Sequence, residues 1–180
     1  LKSIKVLSRE LKKFFGRFLY SLLGSGIVQL NIFISMLFAS LVGGGAISQI
    51  YYADRIIDLP FALIAVAMSF TLLPYLSKNI SDESKNSKAF NETVIFCFIF
   101  AIPSAFGIFI LSEDIIRALF GRGEFNNEDV LITSKILLVY SFSLPGYMLA
   151  RIFNQVFYSY EKVEYPVKAA VPTFICNFIL

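Results

Sequence analysis

Four stretches of this chain, at about 18–42, 46–74, 90–111 and 130–157, are long and apolar enough to cross a lipid bilayer, and a truncated fifth follows residue 168. Crossing roughly 30 Å of hydrocarbon takes about 20 mostly apolar residues in an α-helix. Runs of that length, closed by charges or glycines, specify an all-α fold: a polytopic transmembrane helix bundle of about four complete spans plus a truncated fifth. Composition agrees. Hydrophobic residues make up 57%, charged residues 16%, and the mean hydropathy is +0.70, against about 45–50% apolar and 25% charged in soluble domains. Twenty Phe and nine Tyr would be hard to bury in one soluble core of this size, which still leaves about a third of its surface in water.

The leading residues are different in kind. Lys2, Lys5, Arg9, Lys12, Lys13 and Arg17 alternate with Ile4, Leu7, Leu11, Phe14 and Phe15. That is the pattern of an amphipathic helix lying on a membrane, its basic face toward anionic lipid headgroups. Residues 1–17 are therefore expected to form a cytoplasmic-surface helix, and residues 18–180 a transmembrane helical bundle. The chain lacks an initial Met and a signal-peptide pattern, and Phe178, Ile179 and Leu180 lie inside an apolar run, so it reads as an internal fragment.

Small residues and helix breakers punctuate the spans. Gly24, Ser25, Gly26, Ser35, Ala39 and Ser40 allow close helix contact in the first, and Gly43, Gly44 and Gly45 end it. Pro60 interrupts the second, setting off Ser48 to Leu59 as a separately angled half-helix. Pro103 and Gly107 in the third span and Pro145 in the fourth are of the kind membrane helices tolerate. Ser77 to Lys88 reads as an aqueous loop, Ser112 to Asp129 as a mixed stretch and Glu161 to Lys168 as a charged turn. Lys78, Lys85 and Lys88, with Lys162 and Lys168, fall on the same side as the basic leading segment, and a surplus of Lys and Arg marks the cytoplasmic side. The opposite side carries Arg117 and Arg122 beside Glu113, Asp114 and Glu124.

Chemistry concentrates at Tyr51-Tyr52-Ala53-Asp54-Arg55-Ile56-Ile57-Asp58-Leu59-Pro60, where three ionisable residues open an otherwise apolar span. A charged side chain at the bilayer centre costs from about 2.5 to more than 10 kcal/mol, so such residues face a bundle interior or a water-filled cavity. Helical spacing places Ser48, Tyr51, Arg55 and Asp58 on one face, with Asp54 one step round. The fork of donors on Arg55 suits a phosphate or pyrophosphate. Asp54 and Asp58 offset its charge, so further cations for a polyanion have to come from elsewhere. Arg55, Asp54, Asp58 and Ser48 are the candidate substrate-binding residues, with Gln29, Asn31 and Tyr51 as cavity-lining candidates. A structural reading stands beside this one, in which Arg55 and Asp58 form an internal salt bridge that locks the half-helix. Residues such as Gln29 and Asn31 more often make interhelical hydrogen bonds than bind substrate. Phe120 to Phe125 looks like an anion loop, but reads better as a tight turn with aromatic anchors at the membrane surface. Arg151, Asn154 and Gln155 suit either the lining of a cavity or, better, snorkelling to the cytoplasmic interface.

Other classes find no footing. The chain has no His, and Cys97 and Cys176 sit in separate apolar runs, so neither a metal site nor a disulfide framework is expected. No catalytic triad and no phosphate-cradling loop occur, so no enzyme activity and no cofactor are expected. The basic cluster lies beside a membrane span, which points to membrane lipids and away from nucleic acid. Without a nucleotide site, transport would run on an ion gradient or the membrane potential.

The series Gln29-Leu30-Asn31, Phe38-Ala39-Ser40-Leu41, Gly45-Ala46-Ile47-Ser48, Tyr52-Ala53-Asp54-Arg55, Leu59-Pro60 and Leu73-Pro74 resembles the middle of the MurJ/MviN lipid II flippases. Leu119 to Phe125 is similar to that family's LFxRGxF stretch, and Phe157-Tyr158 with Tyr165-Pro166-Val167 to its FYAxxDTxTPV. The resemblance implies a 14-helix member of the multidrug/oligosaccharidyl-lipid/polysaccharide exporter superfamily, with this chain as about helices seven to eleven. It implies alternating access, a multi-pass place in the bacterial inner (cytoplasmic) membrane, and lipid II, an undecaprenyl-pyrophosphate-linked peptidoglycan precursor, as the substrate carried from the cytoplasmic to the periplasmic leaflet. It also implies that Arg55 stands where the family has a cavity arginine. This sequence departs from the pattern at Ser159 and Glu164-Tyr165, and it carries no acidic residue in 18–42, where some members hold sodium. Two rivals remain: an exporter of drugs or other lipid-linked oligosaccharides in the same superfamily, and a non-transporting membrane scaffold.

Overall fold

In a computed structural model of the chain, residues 2–79 and 82–179 are described, and every regular element among them is a helix. In order these are α1 (Lys2–Val42), α2 (Ala46–Pro60), a π-helical turn (Phe61–Val66), α3 (Ala67–Lys78), α4 (Glu83–Phe120), α5 (Asn127–Ser159) and α6 (Glu164–Ile179). Among the described residues three helices are long and apolar enough to cross a membrane: Ala46–Lys78, Glu83–Phe120 and Asn127–Ser159. A shorter apolar helix, Gly26–Val42, lies within α1, where the first span was expected.

The chain divides into two compact units, one of residues 1–41 with 161–180 and one of residues 42–160. In the first, α1 is helical without a break past Arg17, and the basic side chains from Lys2 to Arg17 lie outside the described residues. Ala39 is buried, and α6 opens on Glu164 and carries Pro172 within it.

The second unit holds three long helices, Ala46–Lys78, Glu83–Phe120 and Asn127–Ser159. α5 packs against α4, α2 and α3, around a core of Ala53, Ile56, Ile57, Ala65, Ile116, Leu137, Leu144 and Met148. Where α5 meets its neighbours, Thr133, Ser134 and Ser141 are buried, because small side chains let helices approach closely where lipid supplies no hydrophobic drive. The outward faces are apolar as well: Leu63, Phe70, Ile110 and Phe142 are 76, 74, 72 and 70% exposed. In water such patches would drive aggregation, whereas lipid tails cover them.

Pro60 closes α2, as its place in the span suggests, and a π turn follows it. Its missing N–H leaves the Ile56 carbonyl without the usual partner; the Phe61 N–H bonds the carbonyls of Ile57 and Asp58, and the backbone stays helical through the π turn into α3. The stretch from Ser112 to Phe120 is helical, since α4 continues beyond the apolar window, carried by buried Ile116 and by an ion pair between Arg117 and Glu113 at 2.7 Å. Most of the loop expected at 77–88 is helix too: α3 reaches Lys78, and Asp82 caps α4 by accepting the Lys85 N–H at 3.1 Å. Near the same end, buried Asn86 donates to the Asn79 carbonyl at 3.0 Å and to the Tyr160 hydroxyl at 3.3 Å. Gln155, expected to snorkel, is buried.

Candidate functional site

Gly45 opens α2 with a φ of 95°, a left-handed conformation that favours glycine, and its carbonyl accepts the Gln49 N–H at 2.9 Å. From that turn α2 presents two faces. Gln49, Ala53, Ile56 and Ile57 are buried, while Ser48, Tyr51, Asp54, Arg55 and Asp58 are exposed. The polar residues thus lie together on the side turned away from the core of their own unit. Gln29, exposed, and Asn31, half-buried, belong to α1 in the other unit.

Arg55 reaches back one turn. A guanidinium N–H donates to the Tyr51 hydroxyl, and the guanidinium carbon lies 4.6 Å from the centroid of the Tyr51 ring. Among the described residues no ion pair joins Arg55 to Asp58, so the salt-bridge lock has no counterpart in the structure. Holding the guanidinium on a ring leaves most of its donors open, because a π face occupies the cation without consuming N–H groups.

Beside the amino end of α2 lies an open cleft of about 610 Å³ lined by Ser48, Gln49, Tyr52, Phe120, Arg122, Glu124, Phe125 and Asp129, among others. Tyr52 meets Phe120 at 4.5 Å and Phe125 at 5.4 Å between ring centroids. The turn between α4 and α5 is tied by the Arg122 N–H on the Phe120 carbonyl at 2.7 Å and by Gly123 with φ of 65°. Asn126 then caps α5: its side chain accepts from Glu128 and Asp129, and Asp129 accepts the Asn126 N–H at 3.1 Å. The other Asp129 oxygen accepts from Gln49 at 2.9 Å, which joins two helices 80 residues apart in sequence.

Gln49 and Asp129 were not among the expected site residues. Asp129 carried a signal, since Asn126 and Asp129 have capping-box spacing before an apolar run. Gln49 carried a fainter one, as a lone polar residue on the stripe continued by Ala53, Ile56 and Ile57.

The family model described as "Lipid II flippase MurJ" matches residues 2–180. The chain belongs to the MurJ family. Its MurJ relatives include one from Aquifex aeolicus (strain VF5), named "Probable lipid II flippase MurJ", 40% identical over 164 residues, which make up 91% of this chain and 32% of the relative. Another with that name, from Bdellovibrio bacteriovorus, is 35% identical over 164 residues, 90% of this chain and 31% of its own length. A solved structure titled "Lipid II flippase MurJ, inward closed conformation" superposes with a TM-score of 0.80 at 32% identity, covering 98% of this chain and 37% of that one. This MurJ-family chain therefore spans about a third of the length of the curated relatives it matches.

Proposed function

We propose that this chain is the middle part of a flippase that carries lipid II from the cytoplasmic to the periplasmic leaflet of the bacterial inner membrane by alternating access, driven by an ion gradient or the membrane potential. The observation that carries the reading is the exposed guanidinium of Arg55 on a helix long and apolar enough to cross a membrane, held by Tyr51 and, among the described residues, without an ion pair. An exposed arginine at membrane depth is costly unless it lines a wet cavity or meets an anion. Its open fork matches the paired oxygens of a pyrophosphate. Asp54 and Asp58, exposed on the same helix, limit the attraction of the empty site for stray anions. Ser48 adds a hydroxyl one turn before Tyr51, and residues 1–17 would rest on the cytoplasmic surface against anionic lipid.

The test is rescue of a bacterium depleted of its lipid II flippase by the full-length parent protein, compared at equal membrane abundance with Arg55→Ala and Arg55→Lys. Rescue by the wild type, loss with Arg55→Ala and weakened rescue with Arg55→Lys are expected, because Lys keeps the charge and loses the fork. Rescue by all three would reduce Arg55 to a structural residue. Failure of a well-expressed wild type would favour another exporter of the superfamily.

A further inference from the structure

The cleft at the amino end of α2 is separate from the Arg55 face, yet Ser48 belongs to both. Its volume of about 610 Å³ lies within the range of about 300–1,000 Å³ typical of small-molecule sites. The lining combines three aromatic rings, Tyr52, Phe120 and Phe125, with a rim of Ser48, Gln49, Arg122, Glu124 and Asp129. Among the described residues, the side chains of Arg122 and Glu124 have no hydrogen-bond or ion-pair partner, although both lie on the cleft wall. Only one Gln49 N–H is engaged, by Asp129.

We infer that this cleft is a glycosyl subsite, taking a hydroxyl-rich sugar unit. Sugar rings have C–H faces that pack on aromatic surfaces and a rim of hydroxyls that both donate and accept. Tyr52, Phe120 and Phe125 supply the surface, Arg122 and Gln49 the donors, and Glu124 and Asp129 the acceptors. A purely anionic ligand would meet two carboxylates, and a purely apolar one would bury Arg122 without a partner, at a cost. Spacing adds a second argument, which rests on the flippase reading. Ser48 and Arg55 are seven residues apart on one helix, an axial separation of about 10 Å at 1.5 Å per residue. An amphiphile holding its phosphates at Arg55 and extending along Tyr51 would bring the adjoining sugar to the cleft mouth.

The test is saturation-transfer NMR on the full-length parent protein purified in a sugar-free detergent, with N,N′-diacetylchitobiose as probe and alanyl-alanine as a peptide control. Transfer to the sugar ring protons is expected, and none to the dipeptide. Arg122→Ala and Glu124→Gln should each weaken sugar binding about tenfold, as expected when a hydrogen bond to a charged group is lost. Melting temperatures matching the wild type would show that both variants are folded, as their partnerless side chains predict. No transfer to the sugar, transfer to the dipeptide alone, or unchanged binding in both variants overturns the subsite. The two proposals fail separately. Flippase rescue without sugar binding removes the subsite, and sugar binding without rescue removes the flippase reading together with the Arg55 spacing argument.

Discussion

The two faces of α2 are built from the same fifteen residues and obey opposite rules. On the inner face Ala53 is 0% exposed, with Ile56 and Ile57 close behind, and the one polar side chain, Gln49, is hydrogen-bonded to Asp129. On the outer face Ser48, Tyr51, Asp54, Arg55 and Asp58 are exposed, and Arg55 is held by the neighbouring ring and hydroxyl of Tyr51. The polar side chain of the inner face is held by a partner on another helix. Polarity on the outer face is kept available. Packing thus fixes the rotation of α2, and that rotation determines what the outer face can meet.

The strongest way to break this contrast is to exchange the rules between adjacent positions. Ala53→Asp puts a carboxylate into the core with no partner, at a cost on the order of 3–5 kcal/mol. Arg55→Ala, two positions on, should stay within about 0.5 kcal/mol of the wild type, as exposed substitutions do. Melting in detergent checks both: a large fall for the first and almost none for the second. Equal losses would mean that the outer face is packed against something that stabilises it.

A smaller effect isolates the single polar contact of the inner face. Gln49→Ala removes the donor to one Asp129 oxygen while the Asn126 N–H keeps the other. An unsatisfied, partly buried acceptor costs about 1–3 kcal/mol. The double variant with Asp129→Ala should lose less than the sum of the two single changes, because each of them removes the same bond. Strict additivity in that cycle would show that the 2.9 Å contact contributes nothing.

The outer face was legible in the sequence and the inner contact was not, for physical reasons. Ser48, Tyr51, Arg55 and Asp58 follow one another at helical spacing, and charges in an apolar run are conspicuous because hydrocarbon penalises them. The spans were legible through the same penalty, but their ends were misplaced. Hydropathy reports where hydrocarbon stops, whereas helical hydrogen bonding continues through Glu113 and Arg117 to Phe120 and begins as early as Glu83. Pro60 was legible as the point where α2 ends, because a missing donor weakens a helix, but no local pattern announces that a π turn follows it. Gln49 and Asp129 are far apart in sequence, and their pairing follows from how α2 and α5 pack.

The weakest link in the series is an exposed charge pair outside the spans. Asp82 accepts from the Lys85 side chain, with an ion pair at 2.8 Å, and from the Lys85 backbone N–H. The side-chain bond, followed by the backbone one, holds its carboxyl below the usual carboxylate value of 3.8. A carboxyl lowered in the folded state contributes stability that is complete above its unfolded value and is lost as the pH falls through the folded one. Between pH 7 and 5 the contribution of Asp82 should therefore be constant, and it should fade only below about pH 4, the ordinary aspartate range. Asp82→Asn keeps a good cap for α4 and removes the charge. Its melting temperature should lie slightly below the wild type at pH 6, with the gap closing as the pH drops toward 3. A gap that widens on acidification would place the sensitivity elsewhere. A gap that closes in high salt at pH 6 would show that the ion pair, which salt screens, supplies the difference and that the cap does not.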